Sequence, residues 1–296
     1  MRIGFNLPQF GSHSHRPEGI ARFAREAEKL GADSLWVGDR LLAPVHPEIN
    51  YPGEDGIPDE FRAGLDPFAT LTIAAAVTSR PLLGTSVLIA PWYAPALLAR
   101  SLTTVDRFSG GRLIAGLGAG WMPEEFQSVG VPYGERGARL DECLDALEAY
   151  WTTNPVAHKG RFTATPASYV DVKPVRRRIP IYLPSFTPAG IKRAARRADG
   201  IIPAAFPGHF DPAVYTGMLA QVRAGTAQAG RRPEDVDFIL RINTKAGDSV
   251  DSIADVLLRS RDAAIDHAFV DLTFRDRARD VEHAIDLAGR ILDRVR

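Results

Sequence analysis

Apolar residues recur along this chain in two alternating rhythms: short continuous runs, and longer stretches spaced three and four apart. The first run, Ile3 to Pro8, ends in a turn at Gly11 and predicts a strand. Glu18 to Leu30 then places Ile20, Phe23, Ala24, Ala27 and Leu30 on one helical face, with Gly31 as its stop. Ser34 to Gly38 predicts the second strand. Asp66 as cap and Pro67 in the first turn open an apolar helix that runs to Thr78. Leu82 to Ala90 is the third strand, Pro95 to Phe108 a helix closed by Ser109-Gly110-Gly111, and Arg112 to Leu117 the fourth strand. Arg136 to Trp151 is amphipathic, with Leu140, Cys143, Leu144, Leu147 and Trp151 on one stripe. Strands five to eight follow at Ile179 to Leu183, Gly200 to Ala205, Asp237 to Thr244 and Phe269 to Phe274. Their helices are Pro188 to Ala198, Pro212 to Ala229, Val250 to His267 and Ala278 to Val295. Two segments break the rhythm. Residues 41–65 are rich in Pro and Gly and long enough to act as a lid; residues 152–178 are expected to be irregular.

Strands alternating with helices predict parallel strands joined by crossover helices. Eight units in 296 residues average about 37 each, the size of a closed (β/α)8 TIM barrel with loop insertions. The competing doubly wound sheet usually stops at about five to seven strands. No Gly/Ser-rich linker divides the chain, so residues 1–296 are expected to form a single barrel domain. Charge narrows the function classes: 36 Lys and Arg balance 36 Asp and Glu, which argues against a phosphate-tracking nucleic-acid binder. No apolar run reaches the roughly 20 residues of a membrane span. Met1 to Asn6 reads as a strand, not as a signal peptide. Cys143 is the only cysteine, which excludes an intramolecular disulfide and a Cys-based zinc site and suggests a cytoplasmic protein.

In such a barrel the chemistry sits where strands end and the following loops begin. Those positions hold Asp39-Arg40, Thr85 to Leu88 with Pro91-Trp92-Tyr93 beyond, Gly116 to Trp121, Pro184 to Thr187, Phe206 to His209, Lys245 and Arg275. The turn at 116–120 is GxGxG rather than GxGxxG. Pro123 follows it, and the acidic position about 20 residues on, Asp141, falls inside a helix, so a Rossmann site is disfavoured. The turn serves either close backbone approach or a bed for a flat ring. His13, His15, His209 and Asp271 have the spread of a metal hydrolase site. However, His13 and His15 stand beyond the strand in a Gly/Ser/Pro turn, a poor base for rigid ligands, and no metal site is expected. Cys143 reads as helix packing and Arg176-Arg177-Arg178 as a solvated run. Trp92 and Trp121 either wall a flat-ring pocket or pack a core.

Five segments in order carry a resemblance: Arg2 to Phe5, Ser34 to Asp39, Leu83 to Leu88, Gly116 to Trp121, and Ile179 to Leu183 continuing through Thr187 to Ile191 and Ala198 to Gly200. Together they resemble the luciferase-like oxidoreductase superfamily, in particular its coenzyme F420-dependent branch. The resemblance implies a TIM barrel that transfers hydride between the deazaflavin F420 and a small organic substrate, as a homodimer. FMN-dependent monooxygenation is the alternative, and a non-catalytic flavin- or deazaflavin-binding barrel a second. Ser86-Val87 matches a non-prolyl cis bulge behind the cofactor ring. Asp39 would hold ring-proximal groups, Ala119 and Gly120 would give backbone contacts, and Trp121 would stand beside them. Thr187, Pro188 and Gly190 open the helix that would take the cofactor phosphate, where free N–H groups and the dipole favour an anion.

The chain also departs from the branch. Its sugar-phosphate dehydrogenase carries a histidine where Arg40 stands and a glutamate where Trp121 stands. Both acid/base partners are therefore missing at the matched positions, and an arginine is no general base near neutrality. Arg40 is read as the catalytic-site residue that neutralises an anionic ring or anchors substrate. Glu124 and Glu125, a few positions on, are the alternative source of an acid, but the expected reading is a solvated helix start.

Overall fold

The computed structural model describes residues 1–52, 54–274 and 280–296. Its strands are β1 (Arg2–Asn6), β2 (Ser34–Val37), β3 (Leu82–Thr85), β4 (Leu88–Ile89), β5 (Leu113–Gly118), β6 (Val156–Lys159), β7 (Ala164–Ser168), β8 (Ile181–Leu183), β9 (Gly200–Ile201), β10 (Ala204–Ala205), β11 (Asp237–Phe238), β12 (Leu240–Asn243) and β13 (His267–Asp271). Between them run α1 (Glu18–Leu30), α2 (Pro67–Val77), α3 (Pro95–Ser109), α4 (Pro123–Ser128), α5 (Arg136–Thr152), α6 (Pro188–Arg197), α7 (Pro212–Gln228), α8 (Val250–Asp262) and α9 (Val281–Val295).

The main sheet is ordered β10-β12-β13-β1-β2-β3-β5-β8-β9-β11, with β4 also on β5, and its pairings are parallel. Three pairs of these strands are pieces of one stave: β3 with β4, β9 with β10, and β11 with β12. Counted so, there are eight staves. Because β9 pairs β11 while β10 pairs β12, the sixth and seventh staves join and the sheet closes on itself. The TIM barrel predicted from the alternation is thus the observed fold, and closure excludes the doubly wound sheet.

Strand alternation sorts the core into two layers. Trp36, Ile114, Tyr182, Ile202, Ile239 and Phe269 fill the bore. Their neighbours in sequence, such as Leu35, Val37, Leu113, Ala115 and Leu240, join the larger layer beneath the helices. Trp36 stacks on Phe269 at 4.6 Å between ring centroids. Room for that indole comes from Gly84, where a Cβ would lie 2.2 Å from Trp36 Cζ3.

Helix ends follow their capping residues. The Asp66 carboxylate accepts the Ala69 N–H at 2.7 Å, and the Thr187 hydroxyl accepts the Gly190 N–H at 3.1 Å. Gly31 closes α1 in the left-handed region, at φ 92°.

Two expectations need correction. Residues 152–178 are not wholly irregular: β6 and β7 form an antiparallel hairpin. Its turn is held from α5, where the Glu142 carboxylate accepts the N–H groups of Arg161 (2.6 Å), Phe162 (3.0 Å) and Thr163 (2.7 Å). The helix after the seventh stave stops at Asp262 instead of His267. His267 begins β13, where its Nε2 lies 2.8 Å from Ser34 Oγ. The last helix starts at Val281 with Asp280 as cap, its carboxylate accepting the His283 N–H. The expected start at Ala278 and the candidate Arg275 lie outside the described residues.

A candidate cofactor cleft at the barrel mouth

A cleft of about 630 Å³ opens at the C-terminal ends of the staves. Nine of the ten predicted site residues line it: Asp39, Arg40, Ser86, Val87, Ala119, Gly120, Trp121, Thr187 and Gly190. Pro188 is not among the lining residues. It has no N–H to offer a ligand.

The floor is the interrupted third stave. The Ser86-Val87 peptide is cis, as the resemblance implies. Ser86 N–H donates to the Val37 carbonyl at 2.7 Å, and the Ser86 carbonyl accepts from Arg241 Nη1 at 2.8 Å. Val87 turns toward the glycine-rich end of β5, where a Cβ on Gly118 would lie 2.6 Å from Val87 Cγ2. Gly120 sits at φ 76°, in the left-handed region, so this turn needs glycine for its backbone as well as for space.

Asp39 stands at one end of the floor, 4% exposed. Its Oδ2 accepts the Ile89 N–H at 3.0 Å and the Tyr93 hydroxyl at 2.9 Å. Burial pushes its carboxyl up from 3.8 to about 6, against the pull of those two hydrogen bonds. Tyr93 is raised as well, by burial first and then by the Asp39 charge, so it stays protonated as donor.

Beside Asp39, Arg40 turns to a partner that local sequence patterning hides. Glu125 is fully buried, not part of a solvated helix start. Its Oε2 accepts Arg40 Nη1 at 2.7 Å and its Oε1 accepts the Leu41 N–H at 2.9 Å. Burial raises the Glu125 carboxyl and Arg40 opposes that rise. Glu124 is also engaged, its Oε1 accepting the Glu48 N–H at 2.6 Å. The guanidinium of Arg40 lies 4.9 Å from the Trp121 ring and 5.2 Å from the Phe61 ring. One positive charge is thereby neutralised by one carboxylate and lies against two aromatic rings.

The opposite end of the cleft is the first turn of α6. There Thr187 accepts the Gly190 N–H and its carbonyl takes the Ile191 N–H. The anion-facing capacity of the turn rests on the Ala189 N–H, the Thr187 hydroxyl and the helix dipole. Arg136 lines this end, stacked 3.9 Å from the Tyr133 ring, and Arg193 lines it while bonded to Asp141.

The segment expected to act as a lid reaches the mouth through some of its described residues. Tyr51, Pro52 and Phe61 from this segment line the cleft. The Gln9 amide clamps its base, donating to the Gly38 and Leu65 carbonyls and accepting the Gly38 N–H. The Tyr51 ring packs against Phe61 at 5.5 Å and Trp121 at 6.0 Å. Trp121 therefore walls the cleft, whereas Trp92 packs on Phe126 outside it.

Sequence reasoning missed Tyr51, Arg241 and Asn243, which also line the cleft. A signal for the last two was present: polar residues at alternate positions of an otherwise apolar strand, Phe238 to Asn243. The histidines do not converge. His267 belongs to the opposite end of the barrel, His13 to the turn Gly11–His15, and His209 is exposed. Among the described residues no group of three or more His, Cys, Asp or Glu is placed to hold a metal, and no helix is long and apolar enough to cross a membrane. Cys143 is buried in α5, with its thiol pushed up by burial to about 12.

Barrel closure, the split third stave and a mouth cleft running from a buried aspartate to a helix N-terminus define the fold and site class. The chain belongs to the luciferase-like monooxygenase family, whose model matches residues 1–293. Among its relatives is an uncharacterized protein of Mycobacterium tuberculosis. The two are 37% identical over 186 residues, which is 62% of this chain and 66% of that relative, just under two thirds of its length. An F420-dependent glucose-6-phosphate dehydrogenase of Kribbella flavida is 32% identical over 251 residues, 82% of this chain and 68% of that protein. Two solved structures share the fold. A monooxygenase from Streptomyces bottropensis superposes with a TM-score of 0.78 at 20% identity, over 99% of this chain and 97% of the other. An F420-dependent secondary alcohol dehydrogenase, in complex with an F420-acetone adduct, superposes with a TM-score of 0.77 at 19% identity, over 100% and 99%.

Proposed function

We propose that this chain is an F420-dependent oxidoreductase acting on a small organic substrate. The observation that carries the reading is the shape of the cleft. One continuous trough joins a buried carboxylate, a floor of Val87 and the Gly118 to Gly120 backbone, and the start of α6. A flat ring with a phosphate-bearing tail has the matching form. Asp39 would accept hydrogen bonds from ring-proximal N–H or O–H groups. Val87 and the glycine-rich turn would support one face of the ring, while Thr187, the Ala189 N–H and Arg136 would face the phosphate. When bound, the deazaflavin supplies a carbon that gives or takes a hydride. The protein's part is to position the two reactants and exclude water, with Tyr51, Phe61 and Trp121 as the cover.

For Arg40 this reading favours a structural role over the substrate-anchoring one. With Glu125 as counter-ion and two rings against it, its main work is to hold the mouth together and present Trp121. The relatives named for F420 favour that cofactor. The monooxygenase neighbour supports the second reading, FMN with oxygen, in the same trough. The homodimer and cytoplasmic setting implied by the resemblance belong to this proposal.

Titration of the purified protein with F420 and with FMN, followed by fluorescence and calorimetry, tests it. F420 is expected to bind tightly, and Asp39→Ala to weaken that binding at least tenfold. Tight FMN binding with no response to F420 would replace the first reading by the second.

A further inference from the structure

Two buried polar atoms of the cleft residues have no hydrogen-bond partner among the described residues: Asn243 Oδ1 and Arg241 Nε. Both residues stand on the inner face of their stave, two positions apart, continuing the row that Ile239 begins in the bore. Asn243 is 4% exposed. Arg241 is held through both terminal nitrogens, Nη1 on the Ser86 carbonyl at 2.8 Å and Nη2 on Asp271 Oδ2 at 2.5 Å. Those two bonds fix the guanidinium and hence the direction of its remaining N–H. One orphan is an acceptor and the other a donor. Buried polar groups are almost always paired, so such a couple asks for a partner. A single hydroxyl answers both, donating to Oδ1 and accepting from Nε–H.

The surroundings limit what carries that hydroxyl. Tyr51 closes over Asn243, its hydroxyl 3.4 Å from Nδ2, and its ring packs beside Trp121, Phe61 and Phe274. This ceiling of rings suits a flat, apolar body. Burial raises the Tyr51 phenol, which keeps it a neutral roof. Both guanidiniums near the lid already face carboxylates, Arg241 facing Asp271 and Arg40 facing Glu125. Neither guanidinium therefore offers an uncompensated charge to a phosphorylated sugar.

The geometry points to a substrate subsite for an uncharged, planar, hydroxyl-bearing molecule, with Asn243 and Arg241 gripping the hydroxyl oxygen beneath Tyr51. It rests on reading the cleft as an oxidoreductase site, and it gives that reading a substrate class.

Calorimetry with three probes tests the subsite without turnover: 2-naphthol, its methyl ether and its phosphate ester. Wild-type protein is expected to prefer 2-naphthol to the ether by about tenfold, the worth of one buried hydrogen bond. Asn243→Leu should reduce that preference to within twofold. Asn243→Asp, which keeps an acceptor, should retain it, and circular dichroism of both variants checks that they fold. Three results would each overturn the subsite: no binding of 2-naphthol, equal binding of the ether, or a preference unchanged in Asn243→Leu. Tighter binding of the phosphate ester would overturn its uncharged character. An F420 titration on the same wild-type sample separates the two readings. Naphthol preference without F420 binding leaves the subsite and removes the cofactor assignment, and F420 binding without the preference does the reverse.

Discussion

Asp39 is held at a cost to the fold, and that cost can be measured. Its carboxyl titrates near 6 in the folded protein against an ordinary 3.8, because burial penalises its charge more than the Ile89 N–H and the Tyr93 hydroxyl favour it. The folded chain therefore holds this proton more tightly than the unfolded chain does. Below pH 3.8 both states are protonated and Asp39 costs nothing. Between 3.8 and 6 the unfolded state ionises first and stability falls as pH rises. Above 6 the loss is constant, and the gap between the two values corresponds to about 3 kcal/mol. Asp39→Asn removes the charge and keeps an oxygen to accept both donors. Urea denaturation of wild type and variant at pH 3.5, 5, 6.5 and 8 should show equal stability at the acid end. At pH 8 the variant should be more stable by about 2–3 kcal/mol, with an unchanged dependence on urea. A variant less stable than wild type at pH 8, or a gain that ignores pH, would refute the account. The same substitution is expected to weaken F420 binding, the usual exchange of stability for a working carboxylate.

Further expectations follow from other buried groups. Glu125→Ala leaves the Arg40 guanidinium without its counter-ion and should cost about 3–5 kcal/mol in chemical denaturation, while Arg40→Met with Glu125→Leu together should recover most of it. His267 is held neutral by burial, its value lowered to about 3 from 6.5. The unfolded chain takes up that proton first, so as pH falls from 6.5 toward 3 stability should be lost by about 1.4 kcal/mol per pH unit, a slope that His267→Gln should flatten. Because the Asp39 effect runs the other way between pH 3.8 and 6, only the single variants resolve the two. Glu142→Ala strips three backbone N–H groups of their acceptor. It should raise hydrogen exchange at Arg161, Phe162 and Thr163 by tenfold or more, with little change in the barrel strands.

The staves and their helices were legible because each is written in local periodicity and closed by its own caps, as at Asp66, Gly31 and Thr187. The stretch Ser86-Val87 could be singled out only through its resemblance to a family, since the residues themselves read as ordinary strand. What escaped notice depends on partners far along the chain. Glu125 looks like a solvated first turn until Arg40, 85 positions away, is placed against it. The hairpin of β6 and β7 is pinned by a carboxylate on a preceding helix, which no periodicity within 152–178 can show. Tyr51 belongs to a segment with no rhythm at all, and its place over Asn243, 192 residues distant, is decided by the closed barrel.

The bond from Arg241 to the Ser86 carbonyl joins staves seven and three, which face each other across an eight-stave ring. It acts as a strut across the diameter. The bed under the proposed ring is thus propped from the far wall, and the width of the mouth is tied to the length of one side chain. The same side chain turns its remaining N–H toward the proposed hydroxyl. Any substitution that shortened it would shift the bed and the grip together, so in this barrel the two are mechanically one part.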